Sequence, residues 1–215
     1  MRVKWLGHAC FLITSRDGLR LITDPYAVGG GINYSPINEA ADVVLVSHGH
    51  DDHSNISTVK GKPEVVRSDG IKTTKCIQFK GVTTYHDEAK GGQRGLNTIF
   101  CFTIDDIKLC HLGDLGHVLN REQINEIGAV DIIFVPVGGF FTIDASAASQ
   151  VCDQLGPKII IPMHYKTPKC TYPIAGVEDF LKGKNNVKRI DNSEVDFELE
   201  KLPVTAEIVI LQPAM

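Results

Sequence analysis

Three short apolar runs constrain the fold of this chain more than any other feature of its sequence. They are DVVLV at 42–46, VDIIFVPV at 130–137 and PKIIIPM at 157–163, and each is followed by polar or turn-forming residues. Runs of this length that are apolar on both faces are typical of strands buried inside a sheet. Because such strands need helices outside the sheet, the runs predict a layered α/β protein.

The order of the remaining segments predicts the layers. Antiparallel strands are expected first in VKWLG, CFLITS and LRLITDP, and a second series in EVVRS, KCIQF, VTTYH, NTIFCFTID and IKLCHLGD, with DDIK as a hairpin turn. Helices are expected in REQINEIG, in VEDFLKG, and in DASAASQVCDQLG with Asp144 as N-cap and Gly156 as stop. This order predicts an α/β fold (α+β by some schemes), a four-layer αββα sandwich of two mixed sheets flanked by helices. A single domain over residues 1–215 is expected.

Charge and cysteine content narrow the class of protein. The net charge is −4 and no strongly basic block occurs, so nucleic acid is not expected as the main partner. The first 18 residues lack the apolar core of a signal peptide or a membrane span, and the six cysteines form no CxxC pair. We therefore expect a cytoplasmic protein with reduced thiols and no membrane partner. The oligomeric state stays open, a homo-oligomer included.

The segment SHGHDDH at 47–53 concentrates side chains that bind metals. His48, His50, Asp52 and His53 follow a buried strand directly, and the alternative to a metal site is a solvated polar turn. A dense set of imidazoles and carboxylates next to a core favours a bound ion over that turn. In an extended segment, residues two apart point the same way, so His48 and His50 can bind one ion. Asp52 and His53 are adjacent and favour a second direction.

Further donors fall just past the ends of other apolar runs. His86 is the last residue of VTTYH, Asp114 of IKLCHLGD and His164 of PKIIIPMH, so these residues can converge on one rim of the sheets. Each could instead be an ordinary turn or core residue. The candidate metal ligands are His48, His50, Asp52, His53, His86, Asp114 and His164. Seven donors exceed the needs of one tetrahedral zinc and suit two ions with a bridging carboxylate.

The set of motifs resembles a known superfamily. The pieces WLGHACFLI, LITDPY, SHGHDDH, YH, HLGDLGH, VPVGGFFTID and IIPMHY occur in this order. Together they resemble the metallo-β-lactamase superfamily. The closer match is to its small metal-dependent hydrolases, which include the sugar-phosphate lactonases and the N-acyl-phosphatidylethanolamine phospholipase D group. The resemblance implies an αββα fold. It also implies one metal on His48, His50 and His86, a second on Asp52, His53 and His164, and Asp114 between them.

Two segments depart from the pattern of the superfamily. The chain reads DEAKGG after His86, where relatives often carry a glycine soon after the histidine. His111 and His117 flank Asp114 and compete for a ligand role, although His86 is favoured because His111 belongs to the preceding strand.

Several neighbouring residues are expected to assist. Asp24 is a candidate for orienting a ligand imidazole, and His8 for leaning over the site; the alternatives are a turn residue and a structural histidine. Tyr165 is a candidate donor to an oxyanion, although a packing role is favoured. His117 is a candidate for facing the substrate, and Asp52 for handling the proton.

The expected activity is metal-dependent hydrolysis. Two divalent ions, Zn²⁺ by default and Mn²⁺ as the alternative, would hold a bridging hydroxide that attacks a small ester, lactone or phosphodiester. Two other functions stay open, a nuclease acting on RNA or DNA and a non-catalytic metal- or ligand-sensing protein. Specificity is expected in loops 27–40 and 89–97. Arg94 and Lys166 are candidates for contacting a substrate anion.

Overall fold

The computed structural model describes residues 1–214, which form two mixed sheets with flanking helices. The strands are β1 Arg2–Gly7, β2 Cys10–Thr14, β3 Arg20–Thr23, β4 Val43–Leu45, β5 Glu64–Val66, β6 Gly70–Thr74, β7 Ile77–Tyr85, β8 Leu96–Ile104, β9 Ile107–His111, β10 Ile132–Pro136, β11 Ile159–Met163, β12 Val187–Arg189, β13 Glu194–Asp196 and β14 Glu207–Ile210. The helices are α1 Asp51–Ser54, α2 Arg121–Ile127, α3 Ala145–Leu155 and α4 Val177–Leu181.

The strand order confirms the predicted αββα class. Within residues 1–214, one sheet has the order β13-β1-β2-β3-β4-β5 and the other has the order β12-β14-β11-β10-β9-β8-β7-β6. The antiparallel meander β1-β2-β3 continues into the parallel strands β4 and β5. In the second sheet, the antiparallel strands β6 to β9 continue into the parallel strands β10, β11, β14 and β12.

Alternating side chains place the core between the sheets. In β2, Phe11 and Ile13 belong to the main apolar cluster, whereas Cys10 and Leu12 belong to a second cluster on the other face. The Phe11 ring lies 4.5 Å from that of Phe134 in β10, so the two sheets contact each other directly. This two-sided burial follows from the period of two in a strand.

The helix ends agree with their sequence signals. Asp144 caps α3 by accepting a hydrogen bond from the backbone N–H of Ala147, and Gly156 ends the helix in the left-handed conformation. At α2, Asn120 and Gln123 form a reciprocal capping box, and Gly128 follows the last turn. No helix among residues 1–214 is long and apolar enough to cross a membrane.

The structure differs from the expected strands in three respects. The segment EVVRS forms β5 of the first sheet and pairs with β4. This pairing was not predicted, because apolar patterning does not specify which strand is the neighbour. KCIQF and VTTYH form one strand, β7; the glycine between them, Gly81, lies against the backbone of Ser68 rather than breaking the strand. β6 and β12 were missed because their side chains are mostly exposed and lack an apolar pattern.

Candidate metal centre

Four strand ends meet at one rim of the molecule. His86 directly follows β7 and His164 directly follows β11, while His48 and Asp114 lie three residues beyond β4 and β9. β7, β9 and β11 run in the same direction in one sheet, so their carboxyl ends share an edge. Since β4 belongs to the other sheet, both sheets contribute to the centre.

The carboxylate of Asp114 lies at the middle of the cluster, and its side chain is 2% exposed. Its Oδ2 atom is 3.2 Å from Nε2 of His164 and 3.3 Å from Nε2 of His86. Its Oδ1 atom is 3.3 Å from Nε2 of His53, and Nε2 of His48 lies 4.0 Å from Oδ2. Imidazoles therefore face both oxygens of one carboxylate.

The remaining donors fall into two groups around Asp114. The open group consists of His48, His50 and His86; Nε2 of His48 is 3.1 Å from Nδ1 of His50. The buried group consists of Asp52, His53 and His164, whose donor atoms lie within 4.8 Å of one another and of His8. Asp52 and His53 belong to the short helix α1 rather than to an extended segment, so they do not continue the alternation of His48 and His50.

The donor spacing fits divalent ions. Ligands about 2.0–2.1 Å from a tetrahedral zinc lie roughly 3.3–3.4 Å from one another. The separations around Asp114 of 3.2–3.3 Å match that spacing. Nε2 of His53 and Oδ1 of Asp114 are buried and 3.3 Å apart, but they form no hydrogen bond with each other or with any other described residue. Buried polar atoms of this kind need a partner, and a cation shared between them supplies one.

The electrostatics of the cluster favour metal binding. Burial alone would raise the pKa of Asp114, but His164 and His53 outweigh it and hold that pKa well below the ordinary value. Burial, reinforced by His53, lowers the pKa of His48 to about 3, so its imidazole is neutral at pH 7 and carries a free lone pair. For His53, burial is outweighed by Asp114 and Asp24, which raise its pKa well above the ordinary value. A metal ion can take the place of the proton that this environment stabilises.

The Asp24 carboxylate orients imidazoles of both groups. It accepts hydrogen bonds from the Ser47 backbone N–H (2.7 Å), the Ser47 hydroxyl (2.7 Å) and Nδ1 of His53 (3.1 Å). The Ser47 hydroxyl in turn lies 2.9 Å from Nδ1 of His48 and can accept its proton. Both imidazoles are thereby turned so that Nε2 points at Asp114. His111, the competing ligand candidate, directs Nε2 at Asp24 (2.9 Å) instead.

Three residues in or beside the buried group have a strained backbone conformation. His8, Asp24 and His164 have φ values of 53°, 36° and 50°, in the left-handed region that non-glycine residues rarely adopt. The His8 carbonyl accepts hydrogen bonds from the Trp5 indole (3.0 Å) and the His164 backbone N–H (3.2 Å). Nε2 of His8 is 3.3 Å from Oδ2 of Asp52, and burial lowers the pKa of His8 to about 4. His8 is therefore a neutral neighbour that can donate to Asp52.

Two other candidates lie away from the cluster. Nε2 of His117 accepts from the Tyr85 backbone N–H (3.2 Å), and Nδ1 donates to the Val118 carbonyl (2.9 Å), so both ring nitrogens have protein partners. Tyr165 is buried, and its ring lies 5.2 Å from that of Trp5. The tyrosine that lines the centre is Tyr172, whose pKa burial and Asp52 raise to about 12. No motif marks Tyr172 in the sequence.

Asn97 holds the loop that carries Asp114. Its side-chain oxygen accepts from the Asp114 backbone N–H (2.9 Å), and its amide donates to the Leu112 carbonyl (2.9 Å) and the Thr84 hydroxyl (2.8 Å). Gly113, at φ 55°, lies so close to Asn97 and Ser47 that a Cβ there would clash with both. Asn97 was not predicted as a site residue, because a buried asparagine in a strand has no local signature in the sequence.

Two cavities adjoin the cluster. The metal cavity, about 270 Å³, is lined by His50, Asp52, His86, Arg94, Asp114, Phe141, His164 and Tyr172. The side cavity, about 370 Å³, is lined by residues that include His86, Arg94, His117, Phe140 and Phe141. His86, Arg94 and Phe141 line both, so the two cavities share a wall.

Comparisons with known proteins agree with this architecture. Residues 2–164 match the family model of the β-lactamase superfamily domain. A UPF0173 metal-dependent hydrolase from Carboxydothermus hydrogenoformans is 31% identical, covering 78% of this chain and 85% of that protein. Another from Methanoculleus marisnigri is 30% identical over 78% of this chain and 82% of its own length. A crystal structure from Thermotoga maritima, described as a Zn-dependent hydrolase of the metallo-β-lactamase superfamily, is 39% identical with a TM-score of 0.81. It covers 98% of this chain and 97% of its own.

Proposed function

This chain belongs to the metallo-β-lactamase superfamily and is a metal-dependent hydrolase, and from that premise we propose that it uses two divalent ions to hydrolyse a small ester, lactone or phosphodiester. The observation that carries the proposal is the position of Asp114, with imidazoles of the open group and of the buried group facing its carboxylate. We assign the activity to one cytoplasmic domain spanning residues 1–215; the six unpaired thiols support that location.

The open group would hold one ion, the buried group the other, and Asp114 would contact both. Such ions, when bound, lower the pKa of water toward neutrality and polarise the oxygen of the substrate. Imidazole donors favour Zn²⁺, and the carboxylates keep Mn²⁺ as the alternative.

Asp52 is the residue that we propose for handling protons. Its side chain is 19% exposed and lines the metal cavity, whereas Asp114 is enclosed. A hydrogen bond from His8 to Oδ2 fixes its orientation, and Tyr172 faces it as a neutral O–H donor. Asp52 can therefore orient the attacking water and accept its proton, while Tyr172 can donate to a substrate oxygen. His117 takes no part in this proposal, because both of its ring nitrogens are already engaged.

The surroundings of the site favour a small substrate over a nucleic acid. Among the described residues, Arg94 is the one Lys or Arg that lines either cavity. A nuclease needs a track of positive charge for the phosphate backbone, and one arginine does not supply it.

A reconstitution experiment tests the proposal. The protein is stripped with a chelator and reloaded with Zn²⁺ or Mn²⁺; its metal content is measured, and turnover is assayed on p-nitrophenyl esters, lactones and bis(p-nitrophenyl) phosphate. We expect two ions per chain and turnover that requires them. Two bound ions without any turnover would favour the sensor function, and tight RNA binding that weakens steeply with salt would favour the nuclease.

A further inference from the structure

We propose that Arg94 is a specificity-determining residue that selects substrates bearing an oxyanion, a carboxylate or a phosphate, apart from the bond that is cleaved. The inference rests on the proposed hydrolase function and adds the substrate class. Arg94 lies on the wall shared by the metal cavity and the side cavity. A substrate reaching from the metal centre into the side cavity must therefore pass its guanidinium.

The charge of Arg94 is not neutralised by the protein. In the part of the chain that the structure describes, no carboxylate lies within ion-pair distance of its guanidinium, and its side chain makes no hydrogen bond. By contrast, Arg2 and Arg189 pair with carboxylates at 2.7–3.4 Å. The guanidinium instead lies 5.6 Å from the centre of the Phe141 ring, which leaves its N–H donors available. A half-buried arginine of this kind can bind a carboxylate or phosphate through paired hydrogen bonds.

The loop that carries Arg94 is organised before any substrate arrives. The Asp87 carboxylate accepts four backbone hydrogen bonds of 2.7–3.0 Å, from Ala89, Gly91, Gln93 and Arg94. These bonds engage the Asp87 charge within its own loop. The loop is also tied to the metal centre, because the backbone N–H of His86 donates to the Gly95 carbonyl (3.1 Å). A preorganised loop reduces the entropy lost when a ligand binds.

The other charges around the cavities favour the same assignment. The carboxylates that line the metal cavity, Asp52 and Asp114, are proposed metal ligands. In the side cavity, Asp144 is engaged in capping α3, while Glu88 is exposed and lies beyond ion-pair distance of Arg94. Lys166, the other cation considered from the sequence, donates to the Tyr172 carbonyl (2.6 Å). Arg94 is therefore the cation free to meet a substrate anion.

Matched substrates and variants test the inference. Turnover of p-nitrophenyl butyrate is compared with that of mono-p-nitrophenyl glutarate, a similar ester with a terminal carboxylate. We expect Arg94→Ala to lower kcat/KM for the charged ester about 10- to 100-fold and to change that for the neutral ester less than about twofold. Arg94→Lys should recover part of the loss. Arg67→Ala, which removes an exposed arginine without an ion pair, is the matched control and should leave both esters unchanged.

Binding without turnover separates this inference from the hydrolase proposal. Glutarate and glycerol 3-phosphate are titrated calorimetrically into zinc-loaded wild type, Arg94→Ala and Arg67→Ala. We expect Arg94→Ala, but not Arg67→Ala, to weaken binding about 10- to 100-fold. The probe that binds more tightly shows whether the preferred oxyanion is a carboxylate or a phosphate. Arg94-dependent binding by a protein that hydrolyses nothing would support this inference and contradict the hydrolase. Equal losses on both esters, or unchanged binding of both probes, would overturn the role of Arg94 even in an active enzyme.

Discussion

The open group and the buried group carry similar donors but differ in how deeply the chain encloses them. The difference lies mainly in His50, which is exposed and precedes α1, because His86 of the same group is only 2% exposed. In the buried group, His53 is fully enclosed and His164 is 1% exposed. Asp24 fixes His53 directly, whereas it reaches His48 only through the Ser47 hydroxyl.

This difference predicts unequal roles for the two ions. Enclosed, hydrogen-bonded ligands lose little freedom when an ion binds, whereas an exposed imidazole must be ordered first. An ion that binds only the folded state also adds to stability in proportion to its affinity. We therefore expect the ion of the buried group to bind more tightly and to stabilise the fold, and the ion of the open group to exchange.

The largest effect is expected where the two groups meet. Asp114→Asn keeps the shape of the side chain but removes the negative charge that faces imidazoles of both groups. We expect metal content to fall below two ions per chain and kcat/KM to fall roughly 10²- to 10⁴-fold, the equivalent of several kcal/mol. Metal analysis by mass spectrometry and steady-state kinetics on the best substrate measure both. Full retention of both ions would contradict the proposal that Asp114 contacts both of them.

A pair of histidine variants tests the inequality directly. His53→Ala removes a partner of the buried Asp24 carboxylate, so we expect loss of the buried group's ion and of about 1–3 kcal/mol of unfolding free energy. His50→Ala changes an exposed residue, so we expect loss of the other ion and a change within about 0.5 kcal/mol. Denaturant unfolding and metal analysis give both quantities. His117→Ala, outside both groups, should keep two ions, and equal stability losses in the two main variants would contradict the inequality.

Most members of the two groups can be predicted from the sequence, because the patterns that mark them are local. His48, His50, Asp52 and His53 share one short segment, and His86 and His164 directly follow strands, so pattern and strand order bring them together. The sandwich itself was predictable for the same reason, because buried runs, caps and turn residues are local signals. The assignment of individual ligands to ions stays a prediction until metals are measured.

What brings the site to its final geometry is not local in the chain. Asn97 and Tyr172 reach Asp114 and Asp52 from distant segments, and neither lies in a recognisable pattern. The pairing of β5 with β4 was missed because hydrophobic runs do not encode their neighbours. The left-handed conformations of His8 and His164 were equally invisible, because tertiary contacts rather than residue type impose them.

A smaller effect is expected at the carboxylate that supports both groups. Asp24→Asn keeps a hydrogen-bond acceptor but removes the charge that orients His53 and, through Ser47, His48. We expect metal affinity to fall about 10- to 100-fold, with the larger loss at the buried group, which Asp24 contacts directly. Competition with a fluorescent zinc chelator resolves the two affinities. A loss confined to the open group would contradict the inference that Asp24 supports the buried group more strongly than the open group.

The smallest effect is expected from a change that removes only the indirect contact between Asp24 and His48. Ser47→Ala removes the hydroxyl between Asp24 and Nδ1 of His48 but leaves the His53 contact in place. Since only His48 loses an orienting partner, we expect the open group's affinity to fall about tenfold and the buried group's to stay within about twofold. Ser54→Ala is the matched control, because that hydroxyl donates to the Gly49 carbonyl rather than to an imidazole or carboxylate. If Ser47→Ala lowered the affinity of both groups while Ser54→Ala lowered neither, the two groups would be one coupled unit rather than an exchangeable site beside a stabilising one.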